Sequence, residues 1–173
     1  MDTSAYTHLC RAGHESIIGQ LAPGGVVLVP DDVSAEIDQG RDWHGEIPSV
    51  AEAPWAELAV LTDEEVLTQV QIKAQLGGTA RQHLGECAVI ACAHHRSHIA
   101  ILDDRGAVQQ AEALNVPWHD TLWIVIEAYK GLYRMDRART AAVVDDLVRT
   151  GLYLPFDDGR SLFAWAYVEG LLP

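Results

Sequence analysis

LGECAVIACAHHRSHIAILDD, residues 84–104, joins an apolar helical segment to a short apolar strand and ends in two aspartates. The pattern predicts a helix over Leu84–His95 and a strand over His98–Leu102. From Cys87 to Ala93 the helix is apolar around its whole circumference, which is typical of a helix buried on all sides. Glu86 lies in its first turn, and a carboxylate at the mouth of a buried helix needs a cation or backbone donors. The stretch therefore predicts a buried helix–strand unit that carries carboxylates at both ends.

Further apolar runs alternate with helical patterns on either side of this unit. Val26–Val29 is apolar at every position, as in a parallel strand buried on both faces, and Trp55–Leu61 contains Glu57, which favours an edge position. Thr62, followed by three acidic residues, predicts a helix that begins with a capping box. Strands that alternate with helices predict an α/β fold with a mainly parallel central sheet and helices on both faces. The remaining predicted strands are 116–118 and 152–154, and the remaining predicted helices are 4–12, 15–21, 30–40, 63–76, 105–114, 121–132, 136–150 and one after residue 159.

Carboxylates fall where such a sheet binds ligands, at the carboxyl ends of its strands. Asp2 precedes the first helix, Glu36 lies in the helix after Val26–Val29, and Asp103 and Asp104 directly follow the strand 98–102. Two adjacent acids after a buried strand raise each other's pKa unless a cation neutralises them. Several acids at one sheet edge form an oxygen-ligand site for Mg²⁺ or Mn²⁺, and hydrolysis of phosphodiester bonds is a common use of such a site.

Composition limits the function further. The 173 residues include 12 Lys and Arg against 25 Asp and Glu, a net charge of −13, which argues against a broad electropositive surface for nucleic acid. Three cysteines are too few for a disulfide framework and indicate a reducing compartment, so we expect a cytoplasmic location. The polar start leads us to expect no signal peptide, and the absence of a long apolar stretch leads us to expect no membrane span. Local binding of nucleic acid would need either a partner or a basic strip, for which the candidates are Arg96, Lys130, Arg134, Arg137 and Arg139.

The order of these motifs resembles that of PIN-domain nucleases, especially their short prokaryotic toxin-like branch. DTSAYTHLCRAG resembles the first family motif, VLVPDDVSAEI the second, and LGECAVIACA the Gly-Glu helix start. ILDDRGAVQQAEALNVP resembles the strand–Asp–helix–strand stretch that carries the last acid, and HDTLWIVIEAYKGLY resembles the element after it. We assign residues 1–155 to a PIN-like domain, a three-layer sandwich, and residues 156–173 to a C-terminal helical tail that covers the core or forms an interface.

The resemblance implies a Mg²⁺- or Mn²⁺-dependent ribonuclease, often a homodimer and often inhibited by an antitoxin. It implies that Asp2, Glu86 and either Asp103 or Asp104 hold the metal, and that Glu36 binds it through water or orients the attacking water. Arg105 and Thr121 are the residues expected near the substrate. RNA is the implied substrate, and an antitoxin or another protein is a possible partner.

Two departures from the family pattern keep alternatives open. Only Met1 precedes Asp2, so these residues either form a strand remnant at the sheet edge or follow residues upstream of Met1. Asp120 stands where the branch usually has glycine, which puts the local turn and the role of Thr121 in question. The acidic surface and Asp120 allow a second hypothesis, a PIN-like binding or regulatory subunit without catalysis. A phosphatase of small phosphate esters is weaker, because such enzymes need an acid where Ser4 stands. Zinc bound by Cys87 and Cys92 is disfavoured, because these residues do not share a helix face.

Overall fold

The computed structural model describes all residues from 1 to 173 as a mixed α/β fold with short parallel strands. The predicted fold class is confirmed. The strands are β1 (Val27–Pro30), β2 (Ala56–Ala59), β3 (Ala100–Ile101) and β4 (Trp118–His119). The helices are α1 (Thr3–Arg11), α2 (Ser16–Leu21), α3 (Asp31–Arg41), α4 (Asp63–Leu76), α5 (Leu84–Arg96), α6 (Arg105–Ala113), α7 (Thr121–Glu127), α8 (Arg137–Arg149) and α9 (Ser161–Val168). A 3₁₀ turn spans Pro23–Gly25, and a π-helical turn spans Ala128–Leu132.

Residues 1 and 2 connect two parallel strand pairs. β1 pairs with β2, and β3 pairs with β4. The amino group of Met1 donates to the carbonyl oxygen of Leu28 at 3.0 Å, and the amide of Asp2 donates to the carbonyl oxygen of Ile101 at 3.0 Å. The expected position at the sheet edge is therefore wrong. Met1 and Asp2 lie between the pairs, because they supply donors for strand carbonyls that face away from β2 and β4.

Helix α5 forms the centre of the core. Gly85 and every residue from Cys87 to Ala93 are buried, as the sequence predicted. The helix contacts α3, α4, α6, β1 and β3, so each of its faces meets another element. A helix enclosed in this way fixes the strands that it touches, and its first turn lies beside the carboxylates described below.

Three local predictions differ from the structure. Val26 is exposed and only Val29 and Pro30 of β1 are buried, so this strand is not covered on both faces along its length. Leu152–Leu154 forms no strand, because Pro155 follows it and no sheet edge pairs with it. The predicted helix 121–132 changes to a π-helical turn after Glu127.

The C-terminal segment packs onto the core. Helix α9 buries Leu162, Phe163 and Ala166, and the rings of Tyr129 and Phe163 meet edge to face with centroids 5.1 Å apart. The apolar tail thus covers the core, one of the two roles expected for it. No helix of the structure is long and apolar enough to cross a membrane.

Candidate active site

Asp2 is a buried carboxylate held by backbone groups on three sides. Its side chain caps α1, because Oδ1 accepts a hydrogen bond from the amide of Ala5 at 2.9 Å. Its Oδ2 accepts from the amide of Asp103 at 2.9 Å, and its own amide is bonded to Ile101. Asp2 is 2% exposed. These hydrogen bonds hold the Asp2 carboxylate in one position, although no strand precedes it.

Asp103 lies next to Asp2 and is fixed by Thr121. The amide of Thr121 donates to Oδ1 of Asp103 at 2.9 Å, and the Thr121 hydroxyl donates to Oδ2 at 2.8 Å. Burial, followed by the nearby charge of Asp103, raises the pKa of Asp2 to about 7. No lysine or arginine forms an ion pair with either carboxylate. The cation near the pair is the Met1 amino group, and its charge lowers the pKa of Asp2 by less than burial and Asp103 raise it.

Asp120 adds a third carboxylate that the sequence did not assign to the site. It caps α7 by accepting a hydrogen bond from the amide of Trp123 at 2.7 Å. Burial raises its pKa, and the charge of Asp103 raises it further. The turn is intact and Thr121 does contact Asp103, so the departure from glycine does not displace Thr121. A helix cap directly after β4 was the signal in the sequence that could have identified Asp120.

Glu36 forms a second carboxylate position, linked to the first through the start of α1. Its Oε1 accepts from the amide of Gly85 at 3.1 Å, and its Oε2 accepts a short hydrogen bond from the hydroxyl of Thr3. Burial raises the pKa of Glu36, and the charges of Glu86 and Asp32 add to the effect. Because Thr3 follows Asp2 in the chain, the first turn of α1 touches both carboxylate positions.

The other residues predicted for the site have different surroundings. Glu86 is partly buried beside Glu36, with its Oε1 3.5 Å from Nδ1 of His83. Asp104 caps α6 by accepting from the amide of Ala107 at 2.9 Å, so of the two adjacent aspartates it is Asp103 that joins Asp2. Arg105 is exposed and forms no ion pair with a carboxylate.

Two of the five residues proposed for a basic strip, Arg96 and Lys130, are paired with acidic side chains. Arg96 donates through Nε to Oε1 of Glu65 at 2.6 Å and through Nη2 to the carbonyl oxygen of Val60 at 2.8 Å. Its charge is therefore used by a carboxylate that is 1% exposed. Lys130 pairs with Glu127. Arg96 is thus a structural residue, and its inclusion in a nucleic-acid strip is not supported.

The carboxylate pair has the donor chemistry of a hard-cation site. No group of three His, Cys, Asp or Glu side chains is close enough to hold a metal by itself. Mg²⁺, however, commonly binds through one or two carboxylates and keeps several waters. Each Asp2 and Asp103 oxygen accepts one hydrogen bond, and a carboxylate oxygen has two acceptor positions. The residues present therefore fit a cation held by two carboxylates and solvent.

Comparison with known proteins identifies the family. The family model described as "DUF3368: PIN domain" matches residues 1–157, which is most of the chain. No curated protein and no solved structure gives a match. PIN domains are generally nucleases, that is, hydrolases. The match spans every carboxylate of the site described above, and the chain belongs to the PIN-domain family.

Proposed function

We propose that the protein is a Mg²⁺- or Mn²⁺-dependent ribonuclease whose cation is held by Asp2 and Asp103. The observation that carries the proposal is the pair of Asp2, which is buried, and Asp103, which is partly buried, with no lysine or arginine paired to either carboxylate. Burial and the charge of Asp103 raise the pKa of Asp2 to about 7. Perturbed carboxyl groups of this kind cluster at functional sites. Family membership supports nuclease activity, and the two carboxylates support the binding of a divalent cation.

The side chains of this site have separable roles in hydrolysis. A bound divalent cation supplies an acidified water and stabilises negative charge on the phosphate. Thr121 holds the Asp103 carboxylate with two hydrogen bonds. Glu36, whose pKa is raised by burial, is the group that takes a proton from the attacking water. Glu86 adds negative charge beside it, which makes Glu36 a stronger base.

Two adjacent aspartates offer a matched test. Asp103→Asn removes a carboxylate from the pair and should lower the cleavage rate of a labelled RNA in Mn²⁺ by about 100-fold or more. Asp104→Asn changes the same chemical group one residue away, and asparagine caps helices as well as aspartate does, so this variant should cleave at close to the parental rate. Cleavage by Asp103→Asn at the parental rate would refute the proposal. A DNA of the same sequence serves as the test of RNA specificity.

A binding or regulatory subunit without catalysis is the second candidate. All four oxygens of Asp2 and Asp103 already accept hydrogen bonds from the protein, which is an arrangement that could be purely structural. Titration calorimetry with Mn²⁺ separates the two functions. Absence of heat in the parental protein, together with absence of RNA cleavage, would favour the binding subunit.

We also propose a toxin-like role in the cytoplasm, with an antitoxin-like protein as inhibitor and a second copy of the chain as partner. Its support is an apolar face of α4 on which Val66, Leu67 and Val70 are 42%, 65% and 61% exposed. Exposed apolar residues clustered on one face are typical of protein interfaces. The cysteines are free and buried, as expected in a reducing compartment. Light scattering of the parental protein and of Leu67→Lys tests the dimer, because lysine on the interface should give a monomer.

A further inference from the structure

An open cleft lies between the last turn of α1 and the end of α8. It has a volume of about 290 Å³, and Arg11, His44, Asp146, Arg149 and Thr150 are among its lining residues. Arg11 is on the same helix as Asp2, which caps its first turn. Nine residues of α-helix correspond to a rise of about 14 Å. Arg11 therefore lies about 14 Å along one rigid helix from the end that Asp2 caps.

The charges that face the cleft leave Arg11 without a carboxylate partner. Asp146 is bonded to Nε2 of His14 at 2.8 Å and forms a short ion pair with Arg149. Glu46 lies 3.3 Å from Nδ1 of His44. Arg11 takes part in no ion pair, although acids outnumber bases by 25 to 12 in this chain. An unpaired guanidinium in such a protein is available to an external anion.

His8 contacts the cleft through Thr150, and its ring has a free acceptor. Its Nδ1 lies 2.6 Å from Oγ1 of Thr150, and the single hydroxyl proton of Thr150 is donated to the carbonyl oxygen of Leu147 at 2.6 Å. Thr150 must therefore accept, so Nδ1 of His8 carries the proton and Nε2 has a bare lone pair.

The charges near His8 change its pKa in opposite directions. Burial lowers its pKa and Arg11 and His44 lower it further, whereas Asp103 opposes them. The neutral ring is therefore favoured, and its Nε2 can accept a hydrogen bond from a hydroxyl group.

We propose that this cleft and the adjoining His8 bind the RNA strand beyond the reacting phosphate, with Arg11 contacting a backbone phosphate further along the strand and Nε2 of His8 accepting a hydrogen bond from a ribose 2′-hydroxyl. Arginine is suited to phosphate because its guanidinium donates two parallel hydrogen bonds. The 2′-hydroxyl is the group that distinguishes RNA from DNA at a protein site. The proposal rests on the proposed ribonuclease function and names residues that select its substrate.

Binding without metal tests the cleft apart from catalysis. Fluorescence anisotropy in EDTA measures the affinity of the full chain for a labelled single-stranded 12-nucleotide RNA and for DNA of the same sequence. Arg11→Gln should weaken both about 5-fold and reduce the slope of log K against log salt by about 0.7, the value for one phosphate contact. Arg160→Gln, an exposed arginine outside the cleft, removes the same charge and should leave both affinities unchanged.

His8→Asn tests the second contact. Asparagine keeps an N–H donor for Thr150 but has no counterpart of Nε2, so RNA should bind about 5-fold more weakly while DNA binding is unchanged. Equal losses for RNA and DNA would overturn the role of the 2′-hydroxyl. Equal effects of Arg11→Gln and Arg160→Gln, or competition by a free nucleotide as strong as that by the oligomer, would overturn the strand-binding cleft. A parental protein that binds RNA in this way but never cleaves it would instead overturn the proposed function alone.

Discussion

Replacing Thr121 with valine isolates the hydrogen bond that fixes Asp103. Thr121 is 1% exposed, and its hydroxyl lies 2.8 Å from Oδ2 of Asp103. Valine keeps the shape of the side chain and removes the donor. A hydrogen bond to a charged group contributes about 1.5–3 kcal/mol, and the partial exposure of Asp103 places this one near the lower end, at about 1.5–2 kcal/mol. In a domain of this size each kcal/mol shifts the melting temperature by about 2–4 °C, so we expect a decrease of about 3–8 °C.

Circular dichroism during thermal unfolding measures this change, and two comparisons identify its cause. Thr121→Ser keeps the hydroxyl and removes one buried methyl group, at a cost of about 1 kcal/mol. In an Asp103→Asn background, Thr121→Val should cost at least about 1 kcal/mol less than in the parental protein, as interacting neighbours do in a double-mutant cycle. Equal costs in both backgrounds would show that Thr121 does not stabilise the Asp103 carboxylate.

Three further perturbations test the site and its surroundings. Mn²⁺ at 100 times its Kd should stabilise the parental protein by about 2.7 kcal/mol, and differential scanning fluorimetry should show no such shift for Asp103→Asn; equal shifts would place the cation elsewhere. Gly85→Ala brings a Cβ within 2.7 Å of Oε2 of Glu36, so RNA cleavage should fall about 10-fold, while helix propensity keeps the unfolding free energy within about 1 kcal/mol. Arg96→Gln leaves Glu65 buried and unpaired, which should cost about 3 kcal/mol in urea unfolding. Because Arg96, with a smaller contribution from Thr62, lowers the pKa of Glu65 to about 2, parental stability should fall as the pH decreases from about 4.5 towards 2, and the variant should show a smaller loss.

The helix starts that depend on neighbouring residues and the places of four strands were predictable, and the lengths of the strands were not. At Thr62 the predicted capping box is present: its hydroxyl accepts from the amide of Glu65 at 3.3 Å, and the Glu65 carboxylate accepts from the amide of Thr62 at 2.7 Å. Strand length depends on distant partners. His98–Leu102 looks like five strand residues, but only Ala100–Ile101 pairs with β4. Residues 152–154 have the composition of a strand but no strand to pair with, and the local sequence does not show whether a partner is present.

Asp103 and Asp104 show how far the sequence could resolve the site. The motif order places both aspartates after a strand, but their roles depend on which of them directly precedes the first residue of helix α6. Helix α6 begins at Arg105, so Asp104 takes the cap position that the helix requires, and Asp103 is left at the strand end beside Asp2. The role of Asp120 is hidden in the sequence for a related reason: its difference from the family pattern points to an altered turn, whereas the side chain caps α7.

The opposing influences on Asp2 lead to a test of the site that needs no RNA. Two backbone amides favour its charged form, yet burial and Asp103 outweigh them and raise its pKa to about 7. The folded protein therefore holds a proton that the unfolded chain releases near pH 4, so in EDTA this group lowers stability as the pH rises from about 4 to about 7, by an amount on the order of 4 kcal/mol. A cation bound by the ionised pair would offset this loss, since metal binding requires the deprotonated ligand. Urea unfolding at pH 5 and pH 8 should consequently show a larger Mn²⁺ stabilisation at pH 8. Equal stabilisation at both pH values would mean that Asp2 is not a ligand.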